Sequence, residues 1–150
     1  MQLNTSTAKF HQTLNALYRR FNALQRGEKR CFGVTLSQCM TLELLHQEGR
    51  KSVQEIASAL GLDTSTVTRT LDVLVRDGLT HRARDERVDR RRVLVSLSAR
   101  GRRLATRLEA CGDDYCERIL ARIPADSRDV VLHALGVLVA AIDELPEAPE

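Results

Sequence analysis

A chain of 150 residues that is 43% apolar and 29% charged has the make-up of one folded domain, neither disordered nor long enough to argue for two. With no Trp, two Tyr and three Phe it lacks the aromatics of a stacking platform for single strands. Three Pro and eight Gly are too few for a turn-rich sandwich or barrel.

The net charge of +3 hides a polarity along the chain. Residues 1–68 carry eight Lys and Arg against five acids, residues 69–107 twelve against five, and residues 108–150 three against ten. A basic middle between a near-neutral and an acidic segment points to one surface that faces a polyanion. No apolar run approaches about 18 residues and the opening stretch has no apolar signal core, so the expectation is a cytoplasmic protein with no membrane partner.

From about Ala8 to Arg26, Phe10, Leu14, Leu17, Phe21 and Leu24 recur in steps of four and three, the narrow stripe of a long helix. Gly27 and the charged Glu28-Lys29-Arg30 are expected to close it. Thr35 followed by Gln38 has capping-box spacing and opens a second helix that runs to about Glu48 and stops at Gly49. Ser52 and Glu55 repeat the box before a short helix through Ile56, Ala57 and Leu60, which ends at Gly61. Asp63 then caps a helix with Val67, Leu71, Leu74 and Val75 toward the core. Two short capped helices joined by Gly61-Leu62-Asp63 read as a helix-turn-helix.

Leu79–Ala83 and Val93–Leu97 read as two strands around the charged stretch 84–92, a β-hairpin with a long basic tip. Ser98 caps a long helix with Leu104, Leu108, Cys111, Tyr115 and Ile119 on one stripe. Pro124 breaks it, and Asp126 opens a last helix through Val131, Leu135, Leu138, Ile142 and Leu145. The fold class is therefore mainly α with a small β-hairpin wing, a winged helix-turn-helix flanked by long helices. The whole of 1–150 is read as one domain, with 35–97 as the winged part and 1–30 and 99–150 as dimerisation helices.

The function expected of this order is sequence-specific binding of double-stranded DNA. Thr64, Ser65, Thr66, Thr68 and Arg69 lie at the start of the second helix of the pair, the end that enters the major groove in helix-turn-helix docking. Short hydroxyls suit phosphate oxygens or base edges, and Arg69 can fork to a guanine. A Thr- and Ser-rich helix start is also ordinary capping chemistry; the basic hairpin that follows tips the balance toward DNA. There, Arg82, Arg84, Arg87, Arg90, Arg91 and Arg92 crowd a tip that also holds Asp85 and Asp89. Arg at a hairpin tip can enter a narrow minor groove, while Asp89, repelled by phosphate, serves to orient a neighbouring Arg.

Gly78-Leu79, the tip Asp89-Arg90-Arg91 and Leu97-Ser98-Ala99-Arg100-Gly101 together resemble the MarR/SlyA family of dimeric winged-helix regulators over essentially the whole chain. The tip is one residue longer than the family's usual form. The resemblance implies that Asp89 holds Arg91 while Arg91 probes the minor groove, and that the first and the last two helices form a homodimer interface. The residues agree, since narrow stripes on three flanking helices exceed what a small winged core covers. A second copy would cover them and match a palindromic operator, with reading helices about 34 Å apart. The regulator expected is a repressor released by an effector.

Four cysteines complete the candidates. Their spacing has no zinc-ribbon pattern and nothing implies secretion, so neither a required cofactor nor a structural disulfide is expected. Cys39 and Cys111 lie on apolar stripes, where a small packed hydrophobe is the default. Cys31, beside Lys29 and Arg30 and ahead of the second helix, has the basic neighbours that lower a thiol pKa. Members of the resembled family keep effector sites near the first, second and fifth helices, some of them oxidant-sensing. The resemblance therefore implies a thiol sensor of oxidant, soft metal or metalloid at Cys31, Cys39, Cys111 and Cys116, with a small aromatic or anionic ligand as the rival.

Outside this class stand an enzyme and a winged helix that binds protein. No phosphate loop, nucleophile elbow or zinc-protease motif is present, so an enzyme is not expected. A protein-binding wing should be apolar where this one is basic.

Overall fold

The computed structural model describes residues 2–84 and 93–145, the side chains of 2–4 and 24–31 excepted. By its contacts the chain divides into two compact units, residues 1–109 and residues 110–150. The first holds α1 (Gln2–Phe32), α2 (Leu36–Glu48), α3 (Val53–Leu60), α4 (Thr64–Arg76), β1 (Thr80–Arg84) and β2 (Val93–Leu97). It also contains the start of α5 (Ala99–Leu120), and the second unit continues with a 3-10 turn at Ala125–Ser127 and α6 (Arg128–Asp143).

The caps expected from sequence form. The Thr35 N–H donates to Gln38 Oε1 at 2.8 Å and the Gln38 N–H returns to Thr35 Oγ1 at 3.3 Å. The Ser52 N–H donates to Glu55 Oε2 at 2.7 Å in the same way. Gly61 sits in the left-handed region that ends α3, where a side chain would be strained. These short-range bonds place α3 and α4 so that Leu42, Ile56, Val67, Leu71, Leu74 and Val95 close into one core without solvent exposure. Each contributes roughly 1.5–3 kcal/mol by leaving water.

The hairpin is antiparallel, with Thr80 opposite Leu97 and Arg84 opposite Val93. Lys51 adds a bridge to its inner edge, exchanging both backbone bonds with Val95 at 3.1 and 2.8 Å. Behind it the turn after α4 and the start of α5 lock together. The Ser98 N–H donates to the Leu79 carbonyl at 2.9 Å and the Ser98 hydroxyl to the Gly78 carbonyl at 2.7 Å, while the Gly101 N–H caps on that same hydroxyl. A Cβ on Gly101 would lie 1.9 Å from the Leu79 oxygen. The two sequence fragments Gly78-Leu79 and Leu97–Gly101 are thus halves of one joint.

Four expectations are corrected. The first helix does not close at Gly27; it continues to Phe32 and ends before Gly33, whose φ is 68°. Three consecutive charged residues favour helix continuation more than one glycine opposes it. Val75 is exposed, and Thr70 takes the buried place instead, because α4 turns its inner face through 67, 70, 71 and 74. The first strand starts at Thr80, one residue later than expected, since Leu79 serves the joint with α5. The last helix opens at Arg128, after the 3-10 turn, and not at Asp126.

Candidate nucleic-acid interface

Thr64, Ser65, Thr68 and Arg69 are exposed on the first turns of α4, and Thr66 is half-buried. Asp63 organises them. Its carboxylate accepts the Thr66 N–H at 2.8 Å, the Thr66 hydroxyl at 2.8 Å and the Ser65 hydroxyl. These donors hold the Asp63 carboxyl well below the ordinary carboxylate range, the Ser65 hydroxyl contributing most and the Thr66 backbone next. The Thr68 hydroxyl donates to the Thr64 carbonyl at 2.7 Å, and Arg69 Nη2 donates to Ser65 Oγ at 3.5 Å. Sequence reasoning placed these residues together but read Asp63 only as a cap.

The hairpin rises beside this face. Arg82 Nη2 donates to Asp72 Oδ1 at 2.8 Å, tying β1 to α4. Arg82 is thereby a strut between the hairpin and α4, a role that needs the fold to be seen. Arg84 is exposed at the end of β1. Arg87, Asp89, Arg90 and Arg91, with Asp85 and Arg92, lie outside the described residues.

Residues 34–93 match the model of the MarR family. Over 141 residues the chain is 27% identical to a helix-turn-helix-type transcriptional regulator of Mycobacterium bovis, covering 94% of this chain and 98% of that one. Its fold is that of a MarR family protein from Bacillus stearothermophilus, with a TM-score of 0.83 at 23% identity over 94% of this chain and 98% of that one. The chain is thus similar to the MarR family across its helix-turn-helix and first part of the hairpin. Streptococcus pneumoniae FabT, solved in complex with DNA, is similar to this chain with a TM-score of 0.80 at 20% identity, over 91% of this chain and 99% of that one.

The cysteines of this chain fall into separate surroundings. Cys31 stands ahead of α2 as expected, but as the next-to-last residue of α1 and not in a loop beyond that helix. Its side chain lies outside the described residues. Cys39 is half-buried on α2, where its thiol donates to Glu43 Oε1 at 3.5 Å. Cys111 is half-buried and Cys116 exposed, five positions apart and so on different faces of α5, in the second unit. Among the described residues no group of three or more His, Cys, Asp or Glu is placed to hold a metal ion.

The first unit also carries a cavity of about 560 Å³ whose lining includes Phe32, Leu79 and Leu104 together with Arg100, Arg103 and Arg107. The Arg107 guanidinium stands 5.0 Å from the centre of the Phe32 ring. Arg100 Nη1 donates to the Asp77 carbonyl, the C-cap of α4, at 3.0 Å. The three Arg recur at steps of three and four on α5, a spacing visible in the sequence. Of the apolar lining, Leu104 shares α5 with them, while Phe32 and Leu79 come from α1 and the turn after α4, which only the fold brings near.

Proposed function

We propose that this chain is a sequence-specific regulator of transcription that binds double-stranded DNA as a homodimer on a palindromic operator, and that an effector releases it. One observation carries the reading: the start of α4 presents an exposed row of hydroxyls and Arg69 beside a basic hairpin, in a family whose relatives are named as transcriptional regulators and not as enzymes. α4 supplies the groove contact through Thr64, Ser65, Thr66, Thr68 and Arg69. The wing supplies Arg84, Arg87, Arg90 and Arg91, with Asp89 orienting Arg91. Supporting the homodimer, α1 exposes Phe10, Leu14, Leu17 and Phe21, and α6 exposes Val130, Leu132, Leu135, Val137, Val139 and Ile142. Footprinting on the chain's own upstream region is the test. Protection of two half-sites one helical turn apart is expected. Binding that is indifferent to sequence would overturn the reading.

For the effector, the cavity favours a planar organic anion over thiol chemistry. Arg100, Arg103 and Arg107 offer charge, and Phe32, Leu79 and Leu104 offer an apolar bed. The thiol reading rests on Cys31, Cys39, Cys111 and Cys116, with a peroxide or a soft metal as its trigger. Operator release titrated with benzoate, with peroxide and with arsenite separates the two: benzoate release lost in Arg103→Ala supports the cavity, and peroxide or arsenite release lost in Cys31→Ser or Cys39→Ser supports the thiols.

A further inference from the structure

The hydroxyls at the start of α4 have already committed their protons. An ionised carboxylate can only accept, so Ser65 and Thr66 must donate to Asp63, and Thr68 donates to the Thr64 carbonyl. What remains to these three oxygens for a further partner is lone pairs. Arg69, whose guanidinium also donates to Ser65, is the donor beside them.

We infer that Asp63 is a positioning residue that sets what α4 reads: by holding the Ser65 and Thr66 protons it makes their hydroxyls acceptors for the amino groups of adenine and cytosine, and unsuited to phosphate. The inference rests on the DNA-binding reading above and deepens it. A phosphate oxygen has no proton to offer, so meeting it would set lone pair against lone pair beside a negative carboxylate. In the major groove the donors are adenine N6 and cytosine N4, whereas guanine O6 and N7 and thymine O4 are acceptors. The face therefore divides its work. Ser65, Thr66 and Thr68 accept from amino-bearing bases and reject keto-bearing ones, and Arg69 takes the guanine edge. Phosphate contact is left to other basic groups. This reverses half of the expectation from sequence, in which the hydroxyls served phosphate and bases alike.

The test uses the full-length protein and the duplex that wild type selects from a random-sequence pool. Each adenine in a half-site is replaced by purine, and each cytosine by its analogue without the 4-amino group. Guanines are replaced by 7-deazaguanine. Wild type should lose about three- to tenfold in affinity at one or more positions when an amino group is removed, the worth of one hydrogen bond. Asp63→Asn keeps an N-cap of equal rank, so the fold is retained, and thermal melting checks that. Its amide has one acceptor oxygen and a donor NH₂, which turns the Thr66 proton outward. The variant should lose less than twofold at the position facing Thr66 while the 7-deazaguanine penalty set by Arg69 persists. Thr66→Val, with Asp63 intact, should lose the same amino-dependent penalty. A wild type that tolerates removal of every amino group, or variants whose profiles superimpose on wild type, would overturn the inference while leaving DNA binding in place. A wild type that selects no sequence at all would overturn the DNA reading itself, and this inference with it.

Discussion

Helices α4 and α6 are of similar length, 13 and 16 residues, and their apolar side chains meet opposite fates. In α4, Val67, Leu71 and Leu74 are fully buried within the first unit and the polar side faces out. In α6 no residue is buried, although apolar side chains at 130, 131, 132, 135, 137, 138, 139 and 142 surround most of its circumference. A helix that is apolar on one stripe can be satisfied by its own domain, and one that is apolar nearly all round needs more surface than a single unit supplies. α4 is finished by its own chain. α6, like the exposed row on α1, leaves apolar side chains uncovered, and the proposed homodimer assigns them to another copy.

The strongest way to break the comparison is to charge the unfinished helix. Leu135→Asp with Ile142→Asp should turn the dimer into a monomer and lower operator affinity at least a hundredfold, roughly 3 kcal/mol or more, because two unpaired carboxylates would enter an apolar contact. Deletion of residues 1–26 should act the same way through Phe10, Leu14, Leu17 and Phe21. Sedimentation velocity beside mobility shift decides the matter. A doubly charged variant that sediments as a dimer and binds normally would sink the assignment of α6 to the interface.

Next in size is the joint behind the wing. Gly101→Ala drives a methyl to 1.9 Å from the Leu79 oxygen, backbone that is itself bonded to Ser98. Overpacking against fixed backbone should cost about 3 kcal/mol in urea unfolding. Gly112→Ala, on the same helix with nothing within 4 Å of the added carbon, should instead be neutral or stabilise by up to about 1 kcal/mol. Equal effects at the two glycines would mean that the joint yields.

The contrast also explains what was legible in the sequence. Caps and glycine stops are written in residues three or four apart, so Thr35, Ser52, Asp63 and Gly61 announced α2, α3 and α4 with their boundaries. The run of α1 through Gly27 was not legible, because a single glycine weighs little against the helix around it. The exposure of Val75 and burial of Thr70 were missed because the stripe pattern rewards apolar type, whereas the inner face of α4 follows its own angle, and at 70 that face admits a hydroxyl beside Ser37. The cavity and the Arg82 strut join residues far apart in the chain, where no spacing rule reaches. The carboxylate of Asp63 was read as a cap, and its hold on two hydroxyls emerged only from geometry.

A finer probe separates α4 from the wing. Arg69→Ala should cost about 1–3 kcal/mol of operator binding, concentrated at one base position. Arg91→Ala should cost less per base but lower the slope of affinity against salt by about one if Arg91 meets phosphate at the groove edge. Competition binding across single-base operator variants at two salt concentrations distinguishes them. A loss for Arg69→Ala that is uniform across sequences would move Arg69 to the phosphate backbone.

The smallest effect lies in how α4 and α6 begin. Asp63 closes the start of α4 with three bonds to its carboxylate, while Ser127, ahead of α6, makes no side-chain cap bond. A carboxyl whose folded pKa is depressed contributes stability in full above its unfolded value, near 3.9, and loses it as pH falls toward the folded value. The contribution of Asp63 should therefore be constant from neutral pH down to about pH 5 and shrink below about pH 4. Because the carboxylate is fully exposed, screening keeps it modest. The measurement is the difference in melting temperature between wild type and Asp63→Asn across that range, against Ser127→Ala as the comparison. The Asp63 difference should narrow on acidification far more than the Ser127 difference, since the Ser127 hydroxyl makes a single 3.2 Å bond to Asp126 and caps no backbone. An Asp63 difference that stays constant to pH 2 would mean that its carboxylate bonds do not stabilise α4, and that the two helices start on equal terms.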